Sequence, residues 1–294
     1  MKKVCLTILA IATIILVISI KKSAAQTKNS AAVLANSMLW KISGNGLQQP
    51  SYLYGTYHMV CANDFIIKDK VRQALEGSNT YVIEADVIHE EELKKLQPMM
   101  FSDTAQSKRL PAKTYTEVDS ILKKVIGVGF DKVDNLTLST ISSIMMQAIY
   151  TCQEKKRYEE ELFKLATAKQ IPMDTLESIE GQMVFYKKAF SDEVTLDQIR
   201  NFDQYKGILQ SSVKQYNNEE LLALHSVNTD PKYMTKETQY WLLQVRNANW
   251  VKKMPAMMKK GSNFFAVGAA HLAGNDGLIR LLQAQGYKVE PVLN

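Results

Sequence analysis

The sequence predicts an α+β fold: a mixed β-sheet built from the N- and C-terminal parts, wrapped by helices, with a largely helical middle segment. Three observations predict it. Two apolar, aromatic-rich runs flank a turn signal near the N-terminus. From about Glu90 to Leu243 apolar residues recur at three- and four-residue intervals. The last fifty residues read as strand, loop, helix and strand.

Taken in order, Lys2 and Lys3 precede seventeen uncharged positions, Val4 to Ile20, and "KKSAAQ" follows. A positive start, an apolar run and the small-x-small site Ser23-Ala24-Ala25 read as a signal peptide over residues 1–25, cut before Gln26. An uncleaved anchor is the alternative, and the only way a membrane enters the reading. Residues 26–36 are small and polar, a flexible leader. "MLWKISG" and "SYLYGTYH", joined through Asn45-Gly46, predict a β-hairpin. "DKVRQALEGS" predicts a short helix ending at Gly77, and "NTYVIEADV" a strand with Glu84 and Asp86 at its carboxyl end. The middle is helical apart from a strand-like break at "IPMDTLES"; its methionines, Met145 and Met146 among them, are read as core. "TQYWLLQVRNANWVKKMPAMMKK" predicts a helix carried at least to Pro255. "NFFAVG" and "YKVEPV" are strands around the helix "NDGLIRLLQAQGY", and that order predicts the two as parallel neighbours. Residues 37–294 are read as one domain carrying the helical insertion of about 90–243.

Charge and cysteine content limit the function. The 294 residues carry a formal +6, and removing residues 1–25 takes four lysines and no acids, leaving +2. With no basic stripe interleaved with aromatics, nucleic acid is set aside as a partner. Of three cysteines, Cys5 leaves with the signal. In an oxidising compartment Cys61 and Cys152 are either bonded, closing a long loop just after His58, or two buried apolar thiols.

Two of the four histidines share one frame. "LYGTYHMV" holds Gly55 and His58, and "FFAVGAAHLAG" holds Gly268 and His271, each at a predicted strand end. A glycine there permits a positive φ and a tight turn, and leaves backbone room for a ligand. Loops after the carboxyl ends of strands are where α/β sheets place ligands. His89 begins "HEEEL", which lacks the second histidine of a zinc helix, and His225 on an apolar helical face reads as structural. No G-x-S-x-G elbow, C-x-x-C or Walker loop occurs. The strand-ending carboxylates Glu84, Asp86 and Glu177 are the natural partners of His58 and His271. Two imidazoles with one or two carboxylates suit a divalent metal: Zn, Mn, Co or Fe.

"LWKISGNGLQQPSYLYGTYHMV", "VIEADV", "DTLESIEGQM", "RNANW" and "FFAVGAAHLAGNDGLIRLLQAQGYKVEPV" resemble, in that order, the signature blocks of the TraB/GumN family, which is related to the Tiki proteins of animals. The resemblance runs from about Leu39 to Val292. It implies a metal-dependent, peptidase-like hydrolase whose two histidines and glutamate match His58, His271 and Glu84. A wider likeness to erythromycin esterases and ChaN-like proteins implies a mixed sheet wrapped by helices, with the site at one sheet edge.

The expected chemistry is an exported enzyme, periplasmic or in the cell envelope, acting on a peptide or protein. His58 and His271 hold one divalent metal through neutral imidazole nitrogens, with Glu84 as ligand or base. Arg246 and Asn249, three apart on one helix, are expected to stabilise the oxyanion, and Asn247 to hold a loop. Glu177 is a further ligand or orients a histidine, and Tyr57 packs. Two rivals remain open: a non-catalytic binding protein for a metal or tetrapyrrole using the same histidines, and an envelope interaction partner with a relic site.

Overall fold

The computed structural model describes residues 33–293; the expected signal peptide and most of the leader lie outside the described residues. Its centre is a six-stranded sheet. The strands are β1 (Leu39–Ser43), β2 (Ser51–Thr56), β4 (Thr80–Ile83), β6 (Met173–Thr175), β7 (Asn263–Gly268) and β8 (Lys288–Pro291), in the order β6-β4-β7-β2-β1-β8. Two further short strands, β3 (Val60–Cys61) and β5 (Lys155–Lys156), pair with each other outside this sheet.

β1 and β2 form the expected antiparallel hairpin, Leu39 opposite Tyr54 and Ile42 opposite Ser51. Gly44, Asn45 and Gly46 all take positive φ in its turn, which is why small or Asx residues occupy it. β2, β7, β4 and β6 run parallel. β7 is central and every residue of "NFFAVG" is buried, as a parallel strand covered on both faces requires. The α+β expectation is therefore met: a mixed sheet of N- and C-terminal strands, helices around it and a helical middle.

One expectation is corrected. β7 and β8 are not neighbours: β2 and β1 lie between them, and β8 pairs antiparallel with β1. The free edge of β1 offered partners to β8, whereas β7 was already paired on both sides. The helix Leu278–Ala284 thus crosses over the hairpin and buries Leu278, Ile279 and Leu282.

Between β4 and β7 the chain is mostly helical, interrupted by β6 at the predicted break. Its helices share a second, smaller core of Val118, Leu122, Phe130, Leu138, Ile141, Met145 and Ile199, separate from the sheet core. The helix reaching Pro255 continues through it to Met258. Cys61 and Cys152 form a disulfide, 91 residues apart, an arrangement at home in an oxidising compartment. Among the described residues no helix is long and apolar enough to cross a membrane.

Candidate functional site

The carboxyl ends of β2, β4 and β7 bring three sequence-distant segments together. β2 ends at Thr56 and leads to His58; β4 ends at Ile83 and leads to Glu84; β7 ends at Gly268 and leads into the short turn Ala269–His271. The helix Val245–Met258 supplies Arg246 and Asn247, and the loop after β6 supplies Glu177.

Glu84 is the hub. Its Oε1 accepts the Gly268 N–H at 2.7 Å and lies 3.7 Å from His271 Nε2; its Oε2 accepts from Arg246 Nη2 at 2.5 Å and from Gln182 at 3.2 Å. Burial alone would raise its pKa. Arg246, the two histidines and the Gly268 N–H outweigh burial and hold the carboxyl well below the usual range. Glu177 answers Arg246 from the other side, its Oε1 accepting from Nε at 2.9 Å and Nη2 at 2.7 Å, while its Oε2 accepts from Trp250 Nε1 at 3.2 Å. Burial, with the neighbouring Glu84 charge, leaves Glu177 above its ordinary pKa despite Arg246.

Both imidazoles are tied back through Nδ1. His271 Nδ1 lies 2.6 Å from Asn247 Oδ1, while Asn247 Nδ2 donates to the His271 carbonyl and to the Asp276 carbonyl. That network fixes the amide orientation and puts the proton on Nδ1, so Nε2 accepts from Arg246 Nη1 at 3.2 Å. Burial, seconded by Arg246 and His58, pushes His271 down to about 3. His58 Nδ1 lies 3.1 Å from Glu159 Oε1, which also accepts from Thr56 Oγ1 at 2.7 Å. The His58 side chain is 73% exposed because it faces an open cleft, although protein surrounds it on its other sides. Burial opposes protonation of the ring, but Glu159 and then Glu84 outweigh it and raise His58 to about 9.

The glycines of the two motifs have a reason other than the expected turn. Neither is in the left-handed region. A Cβ on Gly55 would lie 2.6 Å from Leu272 Cδ1 and 3.1 Å from the Ala269 Cα, so Gly55 lets the second motif seat on the first. A Cβ on Gly268 would meet Glu84 Oε1 and His58 Nε2 at 3.3 Å each, so this glycine keeps open the space that the two groups share.

Arg246 sits just after a π-helical turn, Tyr240–Gln244, and its Nη1 also donates to the Leu242 carbonyl of that turn. Such turns mark functional sites more often than chance allows. Trp250, one helical turn on, packs its ring 4.5 Å from the His271 ring and beneath the Arg246 guanidinium.

Outward from His58 and Gly268 opens a cleft of about 560 Å³ whose far walls come from the helical middle. A broader concavity beside β6 holds Asp86 and His89, which pair at 2.7 Å with each other instead of joining the site. His225 packs against Gly274.

A family comparison decides what this constellation belongs to. The sequence profile of the TraB/PrgY/gumN family matches residues 38–291, which contain every residue of the site. The chain belongs to the TraB/PrgY/gumN family. No curated protein sequence and no solved structure matched it in the corresponding comparisons.

Within this TraB/PrgY/gumN chain, the structure brings together His58, Glu84, Glu177, Arg246 and His271 of the residues singled out from sequence. It departs in two placements. Asn247, not Asn249, reaches His271, while also holding the loop at Asp276 as expected. Glu177 is turned to Arg246 and Trp250, so of its two expected roles the direct orientation of a histidine is not made among the described residues. Sequence reading missed Glu159, Gln182 and Trp250. A signal for Glu159 existed: it falls three before Leu162 and seven before Ala166, on the buried face of the helix Tyr158–Ala168.

Among the described residues no group of three or more His, Cys, Asp or Glu side chains stands arranged to hold a metal. The donor chemistry nevertheless fits one. Each histidine is anchored through Nδ1 to a carboxylate or amide oxygen, the arrangement that orients metal-binding imidazoles, and Glu84 Oε1 stands beside both rings. The group in competition is Arg246, whose Nη1 uses the His271 Nε2 lone pair.

Proposed function

We propose that this chain is an exported, metal-assisted hydrolase of peptide bonds, working at the cell envelope. The observation that carries the proposal is the pair of histidines from opposite ends of the sequence. Both are fixed through Nδ1, with Nε2 directed toward the region of one ionised carboxylate. His58, His271 and Glu84 would hold the metal: Mn, Co, Zn or Fe. Bound there, a divalent ion supplies Lewis acidity and lowers the pKa of a water toward about 7.

The chain's own groups then divide the work. Glu84 is held so firmly ionised that it suits a ligand better than a base. Glu159 holds His58 in orientation, and Asn247 fixes the His271 tautomer. Arg246, anchored on Glu177 through two nitrogens, keeps a cation beside the site, where negative charge on a scissile carbonyl oxygen would develop. Trp250 and Leu272 close the protein side of the site against water.

The test is to strip the purified chain with chelator and assay peptide cleavage with Mn, Co, Zn and Fe restored one at a time. Cleavage should return with at least one metal and vanish in His58→Ala and His271→Ala; unchanged cleavage in either variant defeats the proposal. A second reading, a non-catalytic binding protein, is favoured by one observation: Arg246 already neutralises Glu84 and Glu177. Stoichiometric metal uptake without turnover would select it.

A further inference from the structure

Two helical segments that serve the site on one face present a different surface on the other. In the helix Ile179–Ala189 and the Phe190 that ends it, Gln182, Tyr186 and Phe190 recur every four residues. Gln182 reaches Glu84, and the two rings join the cleft wall, which carries no Asp, Glu, Lys or Arg. Val184 and Lys188 fall on the opposite face with Lys187 beside them, and all three are exposed. The π-helical turn Tyr240–Gln244 gives its Leu242 carbonyl to Arg246 on the inner side. On the outer side Tyr240 is exposed and Trp241 partly so.

These outer side chains form one patch. Phe185 stacks on Trp241 with ring centroids 6.4 Å apart, and Tyr240 meets Trp241 edge-on at 5.0 Å. Lys188 Nζ lies 4.1 Å above the Trp241 ring. Thr238 Oγ1 donates to the Ala189 carbonyl at 2.9 Å and ties the two segments together. Trp40 and Trp250 are buried, so Trp241 is the tryptophan that reaches the surface. The charge around it is unbalanced. Exposed lysines elsewhere are answered by acids, as Lys94 by Glu90, Lys123 by Asp119 and Lys164 by Glu161. Among the described residues Lys187, Lys188 and Lys236 form no ion pair, and Glu180 and Asp192 are taken by Lys95 and Arg109. Glu237 is the one carboxylate on the short helix Lys236–Gln239.

We infer that this patch docks the protein on an anionic phospholipid surface, with Tyr240 and Trp241 at the headgroup level and the three lysines against the lipid phosphates. Tyrosine and tryptophan suit that boundary because each joins an apolar ring to one polar atom. Val184 and Phe185 add apolar area, and the unpaired lysines supply the attraction to negative lipid. The contact is peripheral, since among the described residues no helix is long and apolar enough to cross a membrane. It needs neither the N-terminal apolar run nor the hydrolase reading. Docked in this way, the cleft wall at Tyr186 lies about one helix diameter, roughly 10 Å, from the lipid. The same two segments touch Glu84 through Gln182 and Arg246 through Leu242.

The test uses residues 26–294, which hold the compact unit Leu34–Asn294 with both cores and the disulfide, so that the run Val4–Ile20 cannot bind lipid itself. The protein is sedimented with vesicles of phosphatidylglycerol and phosphatidylcholine, and with vesicles of phosphatidylcholine alone. Affinity for the mixed vesicles should be at least about tenfold higher and should fall as salt screens the lysines. Lys187→Glu with Lys188→Glu should lower it about tenfold or more, and Tyr240→Ser should weaken it separately. These positions are exposed, and an unchanged urea midpoint shows that each variant folds. Trp241 emission, read as the difference from Trp241→Phe, should move to the blue on the mixed vesicles. Equal binding to both vesicles, binding to neither, or full affinity in the lysine variant overturns the inference. Capture of soluble polyglutamate without binding to vesicles assigns the patch to an acidic protein and overturns it as well.

Discussion

The sheet core and the helical-middle core differ in what borders them. The sheet core ends, at the carboxyl side of β2, β4 and β7, in a buried polar network of Glu84, Glu177, Arg246, Asn247 and His271. The helical core ends in a neutral cleft wall, and its charges lie outside, in exposed pairs such as Arg200 with Glu117 and Lys124 with Asp203. Charge is therefore concentrated where strands end and removed from the surface that faces them. In low dielectric each buried charge interacts strongly with its partners, so the first region is sensitive to single polar changes and the second is not. The disulfide, with the β3–β5 pair beside it, ties the segment after His58 to the helical wall.

The sharpest way to break this contrast is Arg246→Met. It leaves Glu84 and Glu177 as buried like charges without their partner, and should cost about 3–5 kcal/mol in urea unfolding. Next, Cys61→Ser with Cys152→Ser removes a bridge closing a 91-residue separation and should cost about 2–4 kcal/mol. Glu159→Gln keeps an acceptor for Thr56 and His58 but removes the charge. It should lower metal affinity about ten- to hundredfold, read by competition with a chelating dye, with little loss of stability.

Acid sharpens the comparison because the buried groups lie at the sheet end, whereas the lowered carboxylates of the helical middle, Glu117 and Asp119, are in exposed pairs. The unfolded chain takes up the His271 proton near pH 6.5, whereas the folded chain refuses it until about 3. Stability of the metal-stripped protein should therefore fall as pH drops through that window, with a further loss below about 4.5, where the unfolded chain takes up a Glu84 proton that the folded chain still refuses. His58 works in the opposite sense. Its raised pKa of about 9 gives stability that is complete below about 6.5 and lost as pH rises toward about 9. Urea midpoints across pH should peak between these limits, and His271→Ala should flatten the acid side. The smallest effect belongs to the control, Arg200→Gln, which breaks an exposed pair and should cost no more than about 1 kcal/mol.

Much of the architecture was legible because local chemistry specified it. The hairpin turn at Asn45-Gly46, the buried run "NFFAVG" and the helical periodicity of the middle each follow from short-range rules, and all three hold. The adjacency of β7 and β8 was misread because pairing depends on which edges are free, and β1 offered one that a local pattern does not reveal. At the site, histidines and strand-end acids stood out by type and spacing. Glu159 and Gln182 looked like ordinary helix-surface residues, since nothing near them in the chain says which face meets His58 or Glu84.

By itself the amino-acid sequence determined the strands of the six-stranded sheet, the paired Gly-x-x-His motifs and the residues able to carry charge, because these depend on neighbours a few positions away. Tertiary structure alone decided that Gly55 makes room for Leu272, that Arg246 stands between Glu84 and Glu177, and that Asn247 is the amide holding His271. Those outcomes depend on how segments far apart in the chain, Gly55 and Leu272 among them, share one buried volume. There, steric exclusion and the cost of an unpaired charge select a single arrangement.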